Sequence, residues 1–295
     1  MPPEVENDFF LDAINDPDEA STIITEAITS NSPCMIARFG STEFNAFFNY
    51  KKGHPLCFFR KIYPFWTDAK TKRNMMDLSG FFPINNKTLS DFADYISDIL
   101  REIDIFGTWN KSEYRLQLNN KCIKIQLQYL EPFWSKEPWT AHLEGKKVLV
   151  VHPFAESIQK QYLHREMLFK NKDILPEFAT LTVIKAVQSL GGENNGFDTW
   201  FDALHHMEQQ IDQCDYDVAL IGCGAYGMPL AAHCKKMGKK AVHLGGALQL
   251  LFGIRGNRWE TEQDIYKQIM NEHWVRPLEN ERPKTAQNVE NACYW

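Results

Sequence analysis

The feature that most constrains the fold is a regular alternation of apolar strands and amphipathic helices between residues 145 and 246. Val148–Val151 forms the first predicted strand, and 179–187, 216–223 and 239–246 give three more. Helical patterns within 156–170, 197–213 and 227–238 separate them. This alternation predicts a mostly parallel sheet with right-handed crossovers and helices on both faces. The expected class is therefore α/β, Rossmann-like.

The first half of the chain is less regular. A helix is predicted over 18–30, "NSP" ends it, and a buried strand follows at Cys34–Phe39. Gly40 then turns the chain into a helix that begins at "STEF", which Ser41 or Thr42 can cap. Further predictions are helices at 68–79 and 88–104, a strand or a helix at 121–130, and an aromatic loop at 131–139. We expect one α/β domain over 1–295, with an insertion at about 51–145 and a C-terminal extension at about 260–295.

Composition excludes several classes of protein. The chain has 295 residues, of which 44% are apolar and 24% charged, as in globular proteins. A net charge of -6 gives no general attraction to nucleic acid or anionic lipid, although local basic patches are compatible with it. The N-terminus is acidic without an apolar core, and no window approaches 18 apolar residues. Seven cysteines without a C-x-x-C pair favour neither zinc nor disulfides. These features predict a soluble cytoplasmic protein.

A glycine run carries the strongest local motif. In "DVALIGCGAYGMPLAAH", a predicted strand ends in Gly222, Gly224 and Gly227, and a helix follows. Such a turn directs backbone N–H groups and a helix N-terminus at a phosphate. A dinucleotide site also needs an acidic residue at the end of the next strand, where this chain has His243. A phosphate- or nucleotide-facing loop is therefore favoured over a nicotinamide site; glycines that only allow tight helix packing remain the alternative.

Several predicted strands end in polar or glycine-rich loops. In a parallel sheet these loops converge at the carboxyl edge, where ligands bind. Arg38 at a strand end requires an anion or an acceptor, whereas Glu43 in a first helical turn also has a purely structural explanation. Ser157 is equally explained as part of a helix cap, and His205 and His206 are expected at the surface. The loops that converge are 38–44, 151–157, 222–227 and 243–249.

The residues that carry these features resemble a known family. "MIARFGSTEFNAF" (35–47) is similar to the Arg-Phe-Gly-Asp-Gly-Glu signature of GT-D-type glycosyltransferases, bacterial enzymes of polysaccharide and glycoprotein assembly. "LEGKKVLVVHPF" (143–154) and the stretch 218–253 resemble later segments of that family in the same order. The resemblance spans roughly residues 20–255. It implies a GT-D-like fold and a nucleotide-sugar donor held by an Asp-x-Glu motif and a divalent metal, Mn²⁺ or Mg²⁺.

The family's motif is incomplete here. Arg38, Gly40 and Glu43 are retained, but Ser41 replaces the aspartate. Later, His243 and Gly246 stand where the family has aspartate and histidine. Glu43 alone is a weak divalent-metal site, so arginines are expected to offset the diphosphate charge instead. The candidates are Arg38, Arg255, Arg258 and Arg276.

The resulting prediction is a glycosyltransferase that moves a sugar from a nucleotide-sugar, with a UDP-sugar favoured, to a glycan or glycoconjugate acceptor. Glu43 is assigned to general base or donor-sugar contact and Arg38 to the diphosphate. The predicted donor-binding residues are Gly40, Ser41, His152, Ser157, Gly222, Gly224, Tyr226, Gly227, His243, Gly245, Gly246, Arg255 and Arg258. The alternatives are a non-catalytic nucleotide- or sugar-binding protein of an assembly complex, and a methyltransferase or other Rossmann-like enzyme.

Two segments allow more than one interpretation. The C-terminal stretch from Trp274 is dense in aromatic and charged residues, and is expected either to cover the crevice as a lid or to pack as an extension. Ala247–Ile254 is apolar enough for the core or for a homodimer contact. For each segment, the sequence is compatible with both interpretations.

Overall fold

The computed structural model describes residues 12–63, 68–261, 264–288 and 292–295. These residues form a seven-stranded sheet in which every pairing is parallel, in the order β3-β2-β1-β7-β6-β4-β5. The strands are β1 (Cys34–Arg38), β2 (Ile105–Thr108), β3 (Ile123–Gln126), β4 (Lys147–His152), β5 (Thr180–Lys185), β6 (Val218–Ile221) and β7 (Lys240–His243). The predicted α/β, Rossmann-like class is confirmed.

The helices lie between and after these strands. They are α1 (Pro17–Thr29), α2 (Ser41–Tyr50), α3 (Pro55–Ile62), α4 (Ala69–Asp77), α5 (Asn86–Ile99), α6 (Ala155–Tyr162), α7 (Arg165–Leu168), α8 (Trp200–Asp212), α9 (Gly227–Lys236), α10 (Leu248–Leu251) and α11 (Asn257–Thr261). Local chemistry sets several of their first residues: the Asp16 side chain caps α1 ahead of Pro17, and capping boxes begin α5 and α8.

The sheet separates two apolar layers because its strands are buried on both sides. Along β4, Leu149 and Val151 face one layer, whereas Val148 and Val150 face the other. The first layer includes α2, α5, α8 and α9, and the second includes α1, α6 and α10. Within the second layer, 248–252 and Ile254 are buried, which assigns the apolar 247–254 segment to the core.

The strand order places four loops around one crevice. The helices after β4 and β6 pack on opposite faces of the sheet, so the loops that follow these neighbouring strands diverge at a topological switch point. Val151, Ile221 and His243 lie in one cross-strand row, and β1 pairs with β7. The loops after β1, β4, β6 and β7 therefore start at nearly the same level.

The structure differs from the sequence prediction in four places. Residues 51–145 supply β2 and β3 to the sheet, so this segment is integral and not an insertion. A further helix, α3, lies within it. The helix expected over 156–170 is divided into α6 and α7. Finally, Gly40 occupies the N-cap position of α2, so the predicted capping by Ser41 or Thr42 does not occur.

Several polar contacts fix the C-terminal extension to the domain. Gln249, fully buried, donates to the main-chain oxygens of Ile254, Arg255 and Tyr294. The Trp274 indole N–H donates to the Leu168 carbonyl. Within the described ranges, no helix has the length and apolarity needed to cross a bilayer. The acidic segment up to residue 11 lies outside the described residues.

Candidate functional site

A cavity of about 950 Å³ opens at the carboxyl edge of the sheet. The loops after β1, β4, β6 and β7 line it, together with the 3₁₀ turn Leu127–Leu130 and parts of the C-terminal extension. The structure thus brings most of the predicted site residues to one place. Those that line the cavity are Arg38, Gly40, Ser41, Glu43, His152, Gly222, Gly224, Tyr226, His243, Gly245, Gly246 and Arg258.

Arg38 presents a guanidinium group to the cavity without a protein partner. Its side chain extends past Gly245, where a β-carbon would lie 3.4 Å from the Arg38 Cδ. It forms no hydrogen bond or ion pair with any residue that the structure describes. Burial lowers the pKa of Arg38, and the nearby carboxylate of Glu43 opposes that shift. Because arginine stays protonated, this group is a positive charge in need of an anion.

The first turn of α2 lies beside this guanidinium. The Glu43 carboxylate packs so closely on Gly40 that a β-carbon there would lie 1.8 Å from Oε2. No side chain caps α2, and within the described chain no group accepts a hydrogen bond from the N–H of Ser41, Thr42 or Glu43. These N–H groups and the helix dipole favour an anion at this end of the cavity.

The two histidines of the site are neutral hydrogen-bonding groups. Burial lowers the pKa of both His152 and His243 to about 3. The Phe154 N–H donates to Nδ1 of His152 at 3.0 Å, so the His152 proton lies on Nε2. Nδ1 of His243 lies 3.3 Å from the Ile221 carbonyl, which places its proton on Nδ1. Neither ring therefore adds positive charge at neutral pH; one offers a donor and the other an acceptor.

The three glycines of the run have different functions. Gly222 allows the Gly245 carbonyl to approach, since a β-carbon at 222 would lie 2.5 Å from that oxygen. Gly224 lines the cavity with φ of +58°, a conformation that glycine adopts without strain. Gly227 lies outside the cavity lining and makes room for the ring of His243. Only Gly222 and Gly224 of the run therefore line the cavity.

Tyr226 lines the cavity while also closing the core behind it. Its ring stacks on Trp200 at 4.9 Å, and its hydroxyl lies 2.9 Å from that of Ser189. Burial raises the pKa of the Tyr226 phenol, so it remains protonated. Tyr226 therefore forms part of the cavity wall, and its hydroxyl contacts Ser189.

Two more predicted donor-binding residues lie away from the cavity because the C-terminal extension binds them. The Ser157 N–H and hydroxyl both donate to the buried carboxylate of Glu281. Arg255 donates to the Asn271 carbonyl at 2.7 Å, and Arg276 forms an ion pair with Glu260. The predicted phosphate contacts of Ser157 and Arg255 thus correspond to bonds within the protein. His205 pairs with Glu208 on the exposed side of α8, and His206 is likewise exposed, as expected.

Glu131 was missed by the sequence reasoning and lines the cavity. Its carboxyl group receives hydrogen bonds from the Tyr266 hydroxyl, 2.8 Å from each oxygen, and from the Trp134 indole at 2.9 Å. Burial raises its pKa to about 7 despite these donors. A carboxyl group poised near neutrality in a cleft is typical of acid–base chemistry. The signal in the sequence was a lone glutamate at the start of the aromatic loop 131–139.

An aromatic wall from distant parts of the chain surrounds the opening. Trp109, Trp259, Tyr266, Tyr294 and Trp295 all line the cavity. Tyr294 packs on Gly246, where a β-carbon would lie 2.5 Å from its ring, and Arg258 lies over the Tyr294 ring at 5.1 Å. The C-terminal residues therefore pack against the domain and line the cavity.

The side chains of this site do not fit a divalent metal. Among the residues that the structure describes, no three His, Cys, Asp or Glu side chains converge on one point. Glu43 has Ser41 beside it where a second carboxylate would be needed, and the His243 ring packs against Gly227. Hard divalent cations require several oxygen ligands. The cationic groups that line the described cavity are arginines, Arg38 and Arg258.

Fold and site together define a doubly wound α/β protein with a cavity of about 950 Å³ at the carboxyl edge of its sheet. No protein-family model, curated protein or solved structure matches this chain.

Proposed function

We propose that this protein is a glycosyltransferase that binds a nucleotide-sugar, with a UDP-sugar favoured, and transfers the sugar to a glycan or glycoconjugate acceptor. One observation carries the proposal: the Arg38 guanidinium, which forms no hydrogen bond or ion pair with any described residue, lies beside the uncapped N-terminus of α2 in one cavity. This combination favours a phosphate group over a neutral ligand. The cavity volume also lies within the range typical of small-molecule sites.

The diphosphate would lie between Arg38 and the first-turn N–H groups of α2. Gly245, beside the Arg38 side chain, and Gly224 line the same cavity without a side chain to cover their backbone. Arg258 supplies a second positive charge from the C-terminal wall. Two arginines and a helix N-terminus offset the charge of a diphosphate without a metal ion.

The two carboxyl groups of the cavity suit different tasks. Glu131, with a pKa of about 7, would accept the proton of the acceptor hydroxyl as that oxygen bonds to the anomeric carbon. The bond between the anomeric carbon and the diphosphate oxygen breaks in the same reaction, and Arg38 stabilises the departing charge. Glu43 lies next to Arg38 and would contact the donor sugar. The aromatic wall would exclude water, which otherwise competes with the acceptor.

A dinucleotide is a poorer match to this cavity. β7 ends in His243, whose ring is neutral and bonded towards the Ile221 carbonyl, so it provides no carboxylate for a ribose diol. The same argument applies to S-adenosylmethionine.

A non-catalytic nucleotide- or sugar-binding protein is the second candidate. The observation that favours it is the lack, within the described residues, of a converging set of metal ligands. It shares the phosphate contacts of the first candidate and differs only in turnover.

The first experiment is a thermal-shift panel with UDP, GDP, CDP, UDP-sugars, NAD and S-adenosylmethionine, each with and without Mn²⁺. Ligand at 100 times its Kd stabilises the folded state by about 2.7 kcal/mol, so a hit requires no acceptor. We expect a rise in Tm with a nucleoside diphosphate or its sugar, independent of Mn²⁺. A rise with NAD or S-adenosylmethionine alone would contradict the proposal.

The variant Glu43→Gln then tests transfer. We expect it to retain its fold and its nucleotide-induced Tm shift and to lose release of UDP from the UDP-sugar. Wild-type binding without release of UDP for any sugar acceptor would favour the non-catalytic protein. Full turnover in Glu43→Gln would overturn the assignment of Glu43.

A further inference from the structure

Helix α3 (Pro55–Ile62) is amphipathic, but its apolar side faces solvent and its polar contacts face the domain. Its buried side carries Cys57 and Arg60, 4% and 6% exposed, whereas its large apolar residues face outward. A surface helix of a globular protein normally turns its apolar stripe toward the core. The outward-facing residues and their exposed fractions are Leu56 (44%), Phe58 (64%), Phe59 (57%), Ile62 (52%) and Tyr63 (64%).

The orientation of α3 is fixed by polar contacts on its inner side. The Arg60 guanidinium donates to the Asn49 carbonyl at 2.9 Å and lies over the Tyr50 ring. The Asn86 amide donates to the Arg60 carbonyl at 2.9 Å, and the Cys57 thiol donates to the Tyr50 carbonyl. A rotation that buried the phenylalanines would break all of these bonds. These polar contacts therefore hold the apolar face of α3 toward solvent.

This apolar face lies in a basic region of an acidic protein. The chain has 38 acidic and 32 basic residues, yet no Asp or Glu occurs between Glu43 and Asp68. Lys52 and Lys61 are exposed at the two ends of α3, and Lys51 is partly exposed. Arg115 from a separate segment adds charge close by, since it lowers the pKa of His54 together with burial and Arg60. Asp68, the acidic residue nearest in sequence to α3, is buried.

We propose that the outward face of α3 binds the surface of an anionic lipid bilayer. Aromatic and aliphatic side chains flanked by lysines are the features of helices that lie in the membrane interface. The phenylalanines and Ile62 would enter the headgroup–acyl boundary, Tyr63 would lie at its polar level, and the lysines would contact anionic headgroups. The peripheral helix would bring the cavity to acceptors carried by a membrane.

Charge favours the bilayer over a second copy of the chain. A two-fold dimer through α3 would place the same patch on both partners, and Lys52 and Lys61 would face like charges. An anionic surface neutralises these lysines, and the contact needs no shape complementarity from the partner. Self-association through α3 is therefore the competing outcome that the experiment must detect.

The test is vesicle flotation of the full chain at low salt. Vesicles of neutral phosphatidylcholine are compared with vesicles that contain about 30% phosphatidylglycerol, in the regime where juxtamembrane lysines discriminate anionic surfaces. We expect flotation with the anionic vesicles only, and its loss when salt shortens the screening length. Absence of flotation with anionic vesicles overturns the proposal.

Two α3 variants and one control locate the contact. Phe58→Ser/Phe59→Ser removes apolar area, and Lys52→Glu/Lys61→Glu reverses charge; each should weaken binding by about tenfold or more. Leu163→Ser/Met237→Ser removes two other exposed apolar side chains and should bind like wild type. Unchanged flotation of both α3 variants contradicts the proposal. So does a lipid-free dimer in sedimentation velocity that Phe58→Ser/Phe59→Ser converts to monomer.

Discussion

The carboxylate of Glu281 closes the N-terminus of α6 by accepting hydrogen bonds from the N–H and the hydroxyl of Ser157. The Glu156 N–H donates to the same group at 2.7 Å, and the Ser157 hydroxyl accepts from the Leu278 N–H. A helix N-terminus at the carboxyl edge of a doubly wound sheet is a common phosphate site, but here the chain supplies its own anion. The first turn of α2, by contrast, has no side-chain cap among the described residues.

Glu281→Ala should destabilise the fold by about 2 kcal/mol, because it leaves charge-assisted bonds of buried donors unmade. Urea denaturation of the two proteins measures the difference. Glu279→Ala, two residues earlier and exposed, is the matched control and should change stability little. If Glu281→Ala instead gained affinity for UDP without losing stability, α6 and not α2 would be the ligand-binding helix.

Arg38→Gln should abolish most nucleotide binding without reducing stability. A half-buried guanidinium that forms no hydrogen bond or ion pair with any described residue does not stabilise the free protein, and burial lowers its pKa. Loss of its charge-assisted bonds to phosphate should raise Kd about 10- to 100-fold. Calorimetry with UDP and a melting curve provide the two measurements.

Arg165→Gln is the control for this experiment. Arg165 pairs with Glu177 outside the cavity, so its removal should leave the affinity for UDP unchanged. A large drop in Tm for Arg38→Gln, with binding retained, would show that Arg38 is a structural residue.

Glu131 should make the stability of the protein depend on pH between 4.5 and about 7. Because burial raises its pKa from 4.5 to about 7, the folded state holds a proton that the unfolded state releases. This contribution to stability is complete below pH 4.5 and is lost as the pH rises through 7. Glu131→Gln retains an oxygen that accepts a hydrogen bond from Tyr266. The stability of this variant should therefore lack the decrease between pH 4.5 and 7.

The same residue should determine the pH profile of transfer. As a general base, Glu131 acts in its ionised form, so kcat/KM should rise through about pH 7 in the wild-type protein. Glu131→Gln should have a rate lower by about 10²- to 10⁴-fold, without that rise. A wild-type profile retained in the variant would assign the titration to another group.

Gly227→Ala should destabilise the protein through His243 alone. Position 227 has ordinary helical dihedrals, but its β-carbon would lie 2.1 Å from Cε1 of the histidine ring. Such overpacking costs about 1–3 kcal/mol. In a His243→Ala background the same substitution should cost much less, and a double-mutant cycle measures this coupling. Equal costs in both backgrounds would exclude the ring as the cause.

The sequence by itself determined the fold class and the end of the sheet that carries the site. Continuous apolar runs such as Val148–Val151, separated by segments with helical periodicity, are compatible with few folds other than a parallel sheet that helices cover on both faces. Strand-end residues such as Arg38 and Gly224 could be assigned to one edge because parallel strands all end on the same side. β2, by contrast, was missed because its four residues, "IFGT", are too short for a periodicity to emerge.

Only the tertiary structure decided which of these residues line the cavity and which bind other parts of the chain. Ser157 and Glu281 are separated by 124 positions, so no local pattern shows that one binds the other. The same holds for Gly227 beneath His243 and for Glu131, whose pKa depends on burial and on hydrogen-bond donors that include Tyr266. The local sequence determines the helix, strand or loop on which a side chain lies. Its partner, burial and charge state depend on segments that meet only in the folded chain.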